Sequence, residues 1–400
     1  MEKRILVFTN HFYPEYFKVN DIVSWLTECN HEVSVVTQNP NYPKGKIYKG
    51  YSVFGSKGDF KGASLYRLPI IPRGNGKPIR LIANYLTYFI SLSSFTFWLI
   101  FTHKKYDSLI IHHTSPPFLF LPSLFYKTFK GSKIILWDLD MWPHTLDATG
   151  VIKSKIVLNI IEKLFKWFYK KFDLILLGSK SFIEIANKRV SSEKTVYFPN
   201  WAEPIFENTE EEITSPRKSD KIIISYTGNI GEAQNLENLV EAVSLCKRDK
   251  IEVRLIGDGR NKENLKKLVE SKNLMGYIKF FESVSSSELL KYFKESDYLF
   301  ISLNNNPIFS KTVPAKLQTY MAVGKPIIAN ISGEAYTMLK EYKTGFQAKA
   351  GNEAELCAIF NHLEQITKKE YDTFAFNCKQ LYKSRFTSNQ RKKQLLGIIN

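Results

Sequence analysis

Apolar and polar positions along this chain follow two alternating rhythms. Short apolar runs such as RILVFT (4–9) and HEVSVVT (31–37) read as strands, and between them residues 20–29 place Ile22, Val23 and Leu26 at helical spacing. A strand, helix, strand order with short links predicts parallel strands joined by right-handed crossovers, with ligands gathering at the carboxyl ends of the strands. Further strands are expected within 106–117, at 134–137, at 173–179 and at 195–201. Residues 204–220 are polar and lack periodicity, so they read as a linker after a first domain over 1–203.

The alternation then restarts. Strands are expected at 221–228, 253–257 and 277–283, with helices over 233–246, 261–272 and 287–295. Turns fall at Asn229-Ile230-Gly231 and at Asp258-Gly259. The stretch 302–334 organises this half: an apolar run over 298–303, a polar loop, Pro314 opening a short helix, Gly324 ending it, and a second apolar run over 326–330. A helix start that follows a strand carries unpaired N–H groups and the positive end of the helix dipole, which makes it a seat for phosphate. Lys316 sits in that first turn. The second domain is taken to cover 221–380, and residues 381–400 a closing helix whose Leu395, Leu396, Ile398 and Ile399 need another surface to cover them.

Composition narrows the function. Apolar residues make up 44% of the 400 positions, enough for two cores. The four cysteines (Cys29, Cys246, Cys357, Cys378) form no CxxC or His-paired spacing, so a reducing compartment and no structural zinc are expected. The net charge of +17 is uneven, since residues 1–200 hold 27 Lys and Arg against 14 Asp and Glu, and only +4 remains for the second half. Residues 81–101 run without a charge, but Asn84, Thr87, Ser91 and Thr96 dilute them, so a buried or interfacial helix is expected over a membrane span. Residues 161–172 interleave Lys with Phe, Trp and Leu as a basic amphipathic helix would. With no recognisable nucleic-acid module, the charge points to an anionic membrane surface.

Loops at the expected carboxyl ends hold the candidate chemistry. After the first strand come Asn10, His11, Tyr13 and Pro14, and after the second QNPNYPKG (38–45), which includes Asn41 and Tyr42. Neither loop is a GxGxxG fingerprint, which argues against a dinucleotide dehydrogenase. KIILWDLDMWPH (133–144) places Asp138 and Asp140 just past a strand, with His113 and His144 as possible neighbours. Asp138 reads as a loop cap, whereas Asp140, its direction set by the Trp-Pro turn behind it, reads as functional.

The motifs TSPP (114–117), DMWP (140–143), FPNW (198–201), YTGNIGEAQNLENLVEA, VRLIGDG and SKTVPAKLQTYMAVGKPIIA, in this order and spacing, resemble the retaining glycosyltransferases of family GT4. The nearest likeness is to bacterial enzymes of the N-acetyl-fucosamine transferase type that build surface polysaccharide on lipid carriers. The resemblance implies an α/β fold of the GT-B type: two facing Rossmann-like domains with parallel sheets, and a C-terminal helix packing back on the N-terminal domain. It implies a UDP-linked nucleotide-sugar donor on the second domain and a lipid-linked (polyprenyl diphosphate) saccharide acceptor on the first. It further implies no metal, while the basic, aromatic-rich first half predicts a cytoplasmic protein peripheral to the inner membrane face.

Carried onto this chain, the resemblance assigns the donor to Asn229, Ile230, Gly231, Gln234, Lys311, Val313, Lys316, Gln318 and Thr319, and the nucleotide base to Gly257, Phe281 and Val284. Asp140 and Lys316 are the expected catalytic residues, and Asn10, His11, Tyr13, Asn41, Tyr42 and His113 the expected acceptor contacts. The chain departs from the family where an Arg usually stands in the turn, here Asn229, and at the two positions of the usual Glu-x7-Glu pair, here Lys311 and Thr319. Two other readings stay open: a nucleotide-sugar 2-epimerase of the same fold, and a non-catalytic partner of a transferase.

Overall fold

A computed structural model of the chain describes residues 2–74, 77–148, 150–208, 220–246 and 249–400. The chain divides into two units, residues 1–198 with 392–400, and residues 199–391. The first contains β1 (Arg4–Thr9), α1 (Lys18–Glu28), β2 (Glu32–Gln38), β3 (Ser56–Phe60), β4 (Ala63–Leu68), α2 (Pro78–Thr102), β5 (Ser108–His113), α3 (Phe120–Lys130), β6 (Lys133–Asp138), α4 (His144–Ala148), α5 (Lys155–Lys171), β7 (Leu174–Leu177), α6 (Lys180–Ala186) and β8 (Thr195–Tyr197). Its sheet has the order β3-β4-β2-β1-β5-β6-β7-β8, parallel except for β3 at the edge. The central strands are buried on both faces, which is why they read as unbroken apolar runs. Strand order reverses between β1 and β5, so the crevice for a ligand opens beside the loops that follow them.

The second unit contains α7 (Pro204–Glu207), β9 (Ile222–Thr227), α8 (Leu236–Leu245), β10 (Ile251–Ile256), α9 (Lys262–Ser271), β11 (Ile278–Phe281), α10 (Ser286–Glu295), β12 (Tyr298–Ser302), α11 (Ala315–Val323), β13 (Ile327–Asn330), α12 (Glu334–Glu341), β14 (Gly345–Ala348), α13 (Glu353–His362) and α14 (Lys368–Arg385). Its sheet, β11-β10-β9-β12-β13-β14, is wholly parallel and reverses order between β9 and β12. A last helix, α15 (Ser388–Ile399), carries the chain back into the first unit. There Leu395 and Ile399 are buried, Lys392 pairs with Glu28 at 2.6 Å, and Lys133 donates to the Ile398 carbonyl at 2.6 Å.

The first unit ends at Phe198, earlier than the boundary expected at 203, because Ala202 and Phe206 are buried in the core of the second. The expected linker therefore begins as α7, and its residues 209–219 lie outside those described. Residues 381–385, expected in the closing helix, instead finish α14. The hairpin β3–β4 had no counterpart in the apolar pattern, since SKGDF (56–60) is polar and all but Phe60 is exposed.

Candidate functional site

In the second unit the carboxyl end of β9 is built for close approach. Gly228 has φ +114°, and a β-carbon there would come within 2.8 Å of Lys316 Cε and 3.1 Å of Nζ. The lysine lies in the space that glycine leaves. Its Nζ donates to the Tyr226 hydroxyl at 2.5 Å and sits 4.0 Å from the centroid of the same ring. The Tyr226 hydroxyl in turn donates to the Asn229 carbonyl, which holds the turn against the lysine. Lys316 stays part-exposed, yet burial of its ammonium lowers its pKa to about 7, with no carboxylate acting against that shift.

Lys316 is the second residue of α11, for which Pro314 is the N-cap, and the N–H groups of Ala315 and Lys316 have no hydrogen-bond partner among the described residues. Glycine closes the neighbouring loops too. A β-carbon at Gly257 would lie 1.9 Å from the Gly228 carbonyl oxygen, and one at Gly259 would lie 2.2 Å from that of Ile230. The result is a bare backbone floor beside the reversal of strand order, faced by one cation and a helix start. Gly257, whose N–H donates to Phe281 at 3.2 Å, ties this floor to the β11 edge, where Phe281 packs edge-on against Tyr292 at 5.3 Å. Val284 follows, part-exposed.

Several residues assigned to the donor have other duties. Ile230 is fully buried and its N–H donates to Asp258 at 2.8 Å, so it braces the turn from behind. Gly231 N–H and Asn229 Nδ2 both donate to Gln234 Oε1, at 3.1 and 3.0 Å, so Gln234 spans the turn. The Asn229 N–H has no partner among the described residues and is the one turn amide open to a ligand. Gln318 is wholly buried; with its nitrogen facing the Pro314 and Ala315 carbonyls, at 3.0 Å each, it stitches the helix start and cannot serve a ribose. Val313 is buried in the core and offers backbone only. Thr319, three residues beyond Lys316 and part-exposed, is on the same side of α11. Lys311 closes a 3₁₀ turn over Phe309–Lys311.

In the first unit the loop after β6 turns around one buried carboxylate. Asp138 accepts from His113 Nδ1 at 2.8 Å, from the Tyr169 hydroxyl, and from the N–H groups of Asp140 and Met141 at 3.1 and 3.2 Å. Burial alone would raise this acid, but the charge and hydrogen bond of His113, with those other donors, bring it down to about 2. The anchor fixes the Asp140 N–H and holds Met141 at φ 41°, a conformation rare for a long side chain. Asp140 is part-exposed and hydrogen-bonded to Ser115; burial pushes its carboxyl above the usual range. Behind the turn, Arg189 donates to the Trp142 carbonyl at 2.7 Å, grips Glu162 at 2.6 and 2.8 Å, and stacks 4.8 Å from the Tyr169 ring.

The expected acceptor residues divide in the same way. His113 is fully buried against Phe120, with Nε2 unpartnered, so it serves Asp138 and faces no acceptor. Asn41 is wholly buried and braces Asn39 and Arg73, and Asn10 donates to the Thr114 and Ser115 carbonyls at 3.3 Å. His11 is 6% exposed and its Nδ1 meets Glu15 at 2.7 Å. Loop backbone at a sheet edge must have its polar groups paired, and these side chains pair them. Tyr13 and Tyr42 remain open, exposed at 48 and 42%.

Sequence reasoning missed Glu15, which accepts from the N–H groups of Asn41 and Tyr42 at 2.6 Å each and so joins two loops. It also missed Tyr226 on β9, Tyr169 on α5 and Arg189 in the turn after α6, which reach the two sites from positions that read as ordinary core or surface. Only the Tyr226-Thr227-Gly228 run, an aromatic next to a turn glycine, carried a local signal.

The fold is GT-B, and residues 207–377, most of the second unit, match the family described as "Glycosyl transferases group 1". Among curated relatives, WcaI of Escherichia coli (strain K12), provisionally named a colanic acid biosynthesis glycosyl transferase, is 24% identical over 352 residues, 84% of either chain. Among solved structures, sucrose-phosphate synthase from Thermosynechococcus elongatus superposes with a TM-score of 0.72 at 14% identity, covering 99% of this chain and 98% of that one. Anabaena HepE in complex with UDP-glucose gives 0.68 at 12% identity, covering 100% and 99%.

Proposed function

We propose that this protein transfers a sugar, an N-acetylated hexosamine or deoxyhexosamine, from a UDP-linked donor to a lipid-linked saccharide. The reaction belongs to surface polysaccharide assembly, as O-antigen or capsule, at the inner face of the membrane. The observation that carries the reading is the seat made by Gly228, the Asn229 N–H, the start of α11 and Lys316, a cation with a tyrosine for its partner and no acid. A diphosphate completes that seat. As the glycosidic bond breaks, negative charge grows on the leaving phosphate, and preorganised donors stabilise it there. Lys316 takes the part a metal ion plays elsewhere, so no metal is assigned. Asp140, aimed by Asp138, orients the acceptor, and transfer proceeds with retention. The naming of WcaI for colanic acid biosynthesis and the UDP-glucose held by HepE support this choice of pathway and donor.

Calorimetry with UDP tests it. A lysine with a pKa of about 7 in the free protein becomes fully charged on meeting a diphosphate, so binding takes up roughly half a proton at pH 7 and nearly one at pH 8. The sign follows from the lowered pKa: the charged form is scarce above pH 7, and affinity falls about tenfold or more between pH 7 and 9. Lys316→Arg, charged throughout, flattens that dependence. Absence of any UDP binding would favour the non-catalytic partner.

A further inference from the structure

The first unit shows more apolar surface than its fold uses. α2, α3 and α5 carry the chain from β4 to β5, β5 to β6 and β6 to β7, all in one direction across the sheet, so right-handed crossovers set them side by side on one face. Aromatic contacts join them: Phe118, just before α3, meets Phe89 of α2 at 5.7 Å, and Phe120 of α3 meets Phe168 of α5 at 5.3 Å. On α2 the exposed residues Ile82, Leu86, Ile90, Phe97 and Phe101 recur at helical intervals along the outer side. Leu121, Phe125 and Phe129 repeat every fourth residue on α3, and Ile156, Ile160, Leu164 and Trp167 follow at intervals of four, four and three on α5. Three parallel apolar stripes form a patch well beyond the scattered exposure of an ordinary soluble surface.

Charge selects the occupant. The three helices carry eight Lys and Arg against one acid, Glu162, which Arg189 already holds. A second copy of this chain would bring eight like charges against eight. An anionic bilayer offers hydrocarbon for the stripes and phosphates for the lysines.

Depth follows from the inner side of α2. It is the one helix among the described residues long and apolar enough to cross a membrane. Yet Asn84 donates to the Ile71 carbonyl at 2.8 Å, the Tyr88 hydroxyl donates to that of Thr9 at 2.7 Å, and Leu92, Thr96 and Leu99 are buried. Crossing would break those bonds and strip the sheet. We propose that α2, α3 and α5 form one docking face that beds into an anionic bilayer at headgroup depth, with α2 lying in the membrane plane. The face deepens the membrane-borne acceptor proposed above but stands on the first unit alone. The amino end of α2 is next to the exposed Tyr42, for Arg73 lies 5.4 Å from the Tyr42 ring and 5.7 Å from that of Tyr85 on α2, so a lipid carrier would be met there.

Co-sedimentation of the full chain with phosphatidylglycerol–phosphatidylcholine vesicles at low salt tests the face. Wild type is expected to pellet with anionic vesicles, to stay free of pure phosphatidylcholine, and to be released by alkaline carbonate. Ile90→Glu/Phe97→Glu/Phe101→Glu on α2, and separately Phe125→Glu/Phe129→Glu on α3, are expected to weaken vesicle binding by about tenfold or more. Phe376→Glu, exposed on the second unit, is expected to bind like wild type. Wild type remaining in the supernatant, either multiple variant binding as well as wild type, or resistance to carbonate would overturn the proposal. So would a solution dimer that the α2 variant dissociates. UDP calorimetry on the same samples separates this from the transferase reading: nucleotide binding kept while vesicles are ignored removes the docking face alone, and the converse removes the donor seat alone.

Discussion

Lys316→Ala lowers glycosyl transfer by about 100- to 1,000-fold, the loss usual when one preorganised group aimed at developing charge is removed. The lysine is positioned from three directions, by the bare Gly228 backbone beneath its methylenes, by the Tyr226 ring, and by the first turn of α11. Little conformational freedom remains to be lost on binding a diphosphate, which is why the proposed role of Lys316 at the leaving group carries so large an expected effect. Lys316→Arg keeps the charge but not the shape, since the space above Gly228 fits a slim chain, and recovery is partial. Steady-state rates at saturating donor check this, with Thr319→Ala, one turn further along α11, as the milder neighbour. Full turnover by Lys316→Ala would remove the lysine from the chemistry.

The second large effect is on stability. Asp138→Ala leaves His113 and Tyr169 without their partner in an apolar core and frees the N–H groups of Asp140 and Met141. Removing one member of a buried, charged network costs about 3–5 kcal/mol, because the remaining groups stay desolvated. Denaturant unfolding followed by the fluorescence of Trp137 and Trp142, both in the first unit, reads that loss. Asp138→Asn keeps an acceptor for part of the network and loses less. The pH dependence has a definite sign: the native pKa of about 2 lies below the unfolded value, so the contribution is present above about pH 4 and is lost as the pH falls through 2. Turnover falls in Asp138→Ala as well, since Met141 relaxes from φ 41° and Asp140 loses its aim. An Asp138→Ala protein as stable as wild type would show the network to be incidental.

The strands and helices that frame both crevices were legible as apolar period and punctuation. Pro314 and Gly324 delimit α11 within a residue of the expected positions, because proline and glycine act locally on the backbone. The β3–β4 edge escaped, for a solvent-facing strand carries no apolar alternation. Residues 81–101 could be read as apolar but not as two-sided. Which side Asn84 and Tyr88 face is decided by the sheet they pack on, and only then does the other side appear as a surface. The same limit applies to the sites. Lys316 was legible from its place at a helix start, while Tyr226, which holds it, lies ninety residues away in the chain. Ile230, Gln318 and His113 have residue types suited to contact a substrate, and the core claims all three.

Sugar transfer is decided by mass spectrometry of a lipid-diphosphate saccharide incubated with the protein and a panel of nucleotide sugars in the presence of EDTA. One sugar donor is expected to add a single glycosyl mass to the acceptor and to release an equal amount of nucleoside diphosphate, and Lys316→Ala to do neither. A donor converted to an isomer of unchanged mass, with the acceptor untouched, would contradict it and identify an epimerase.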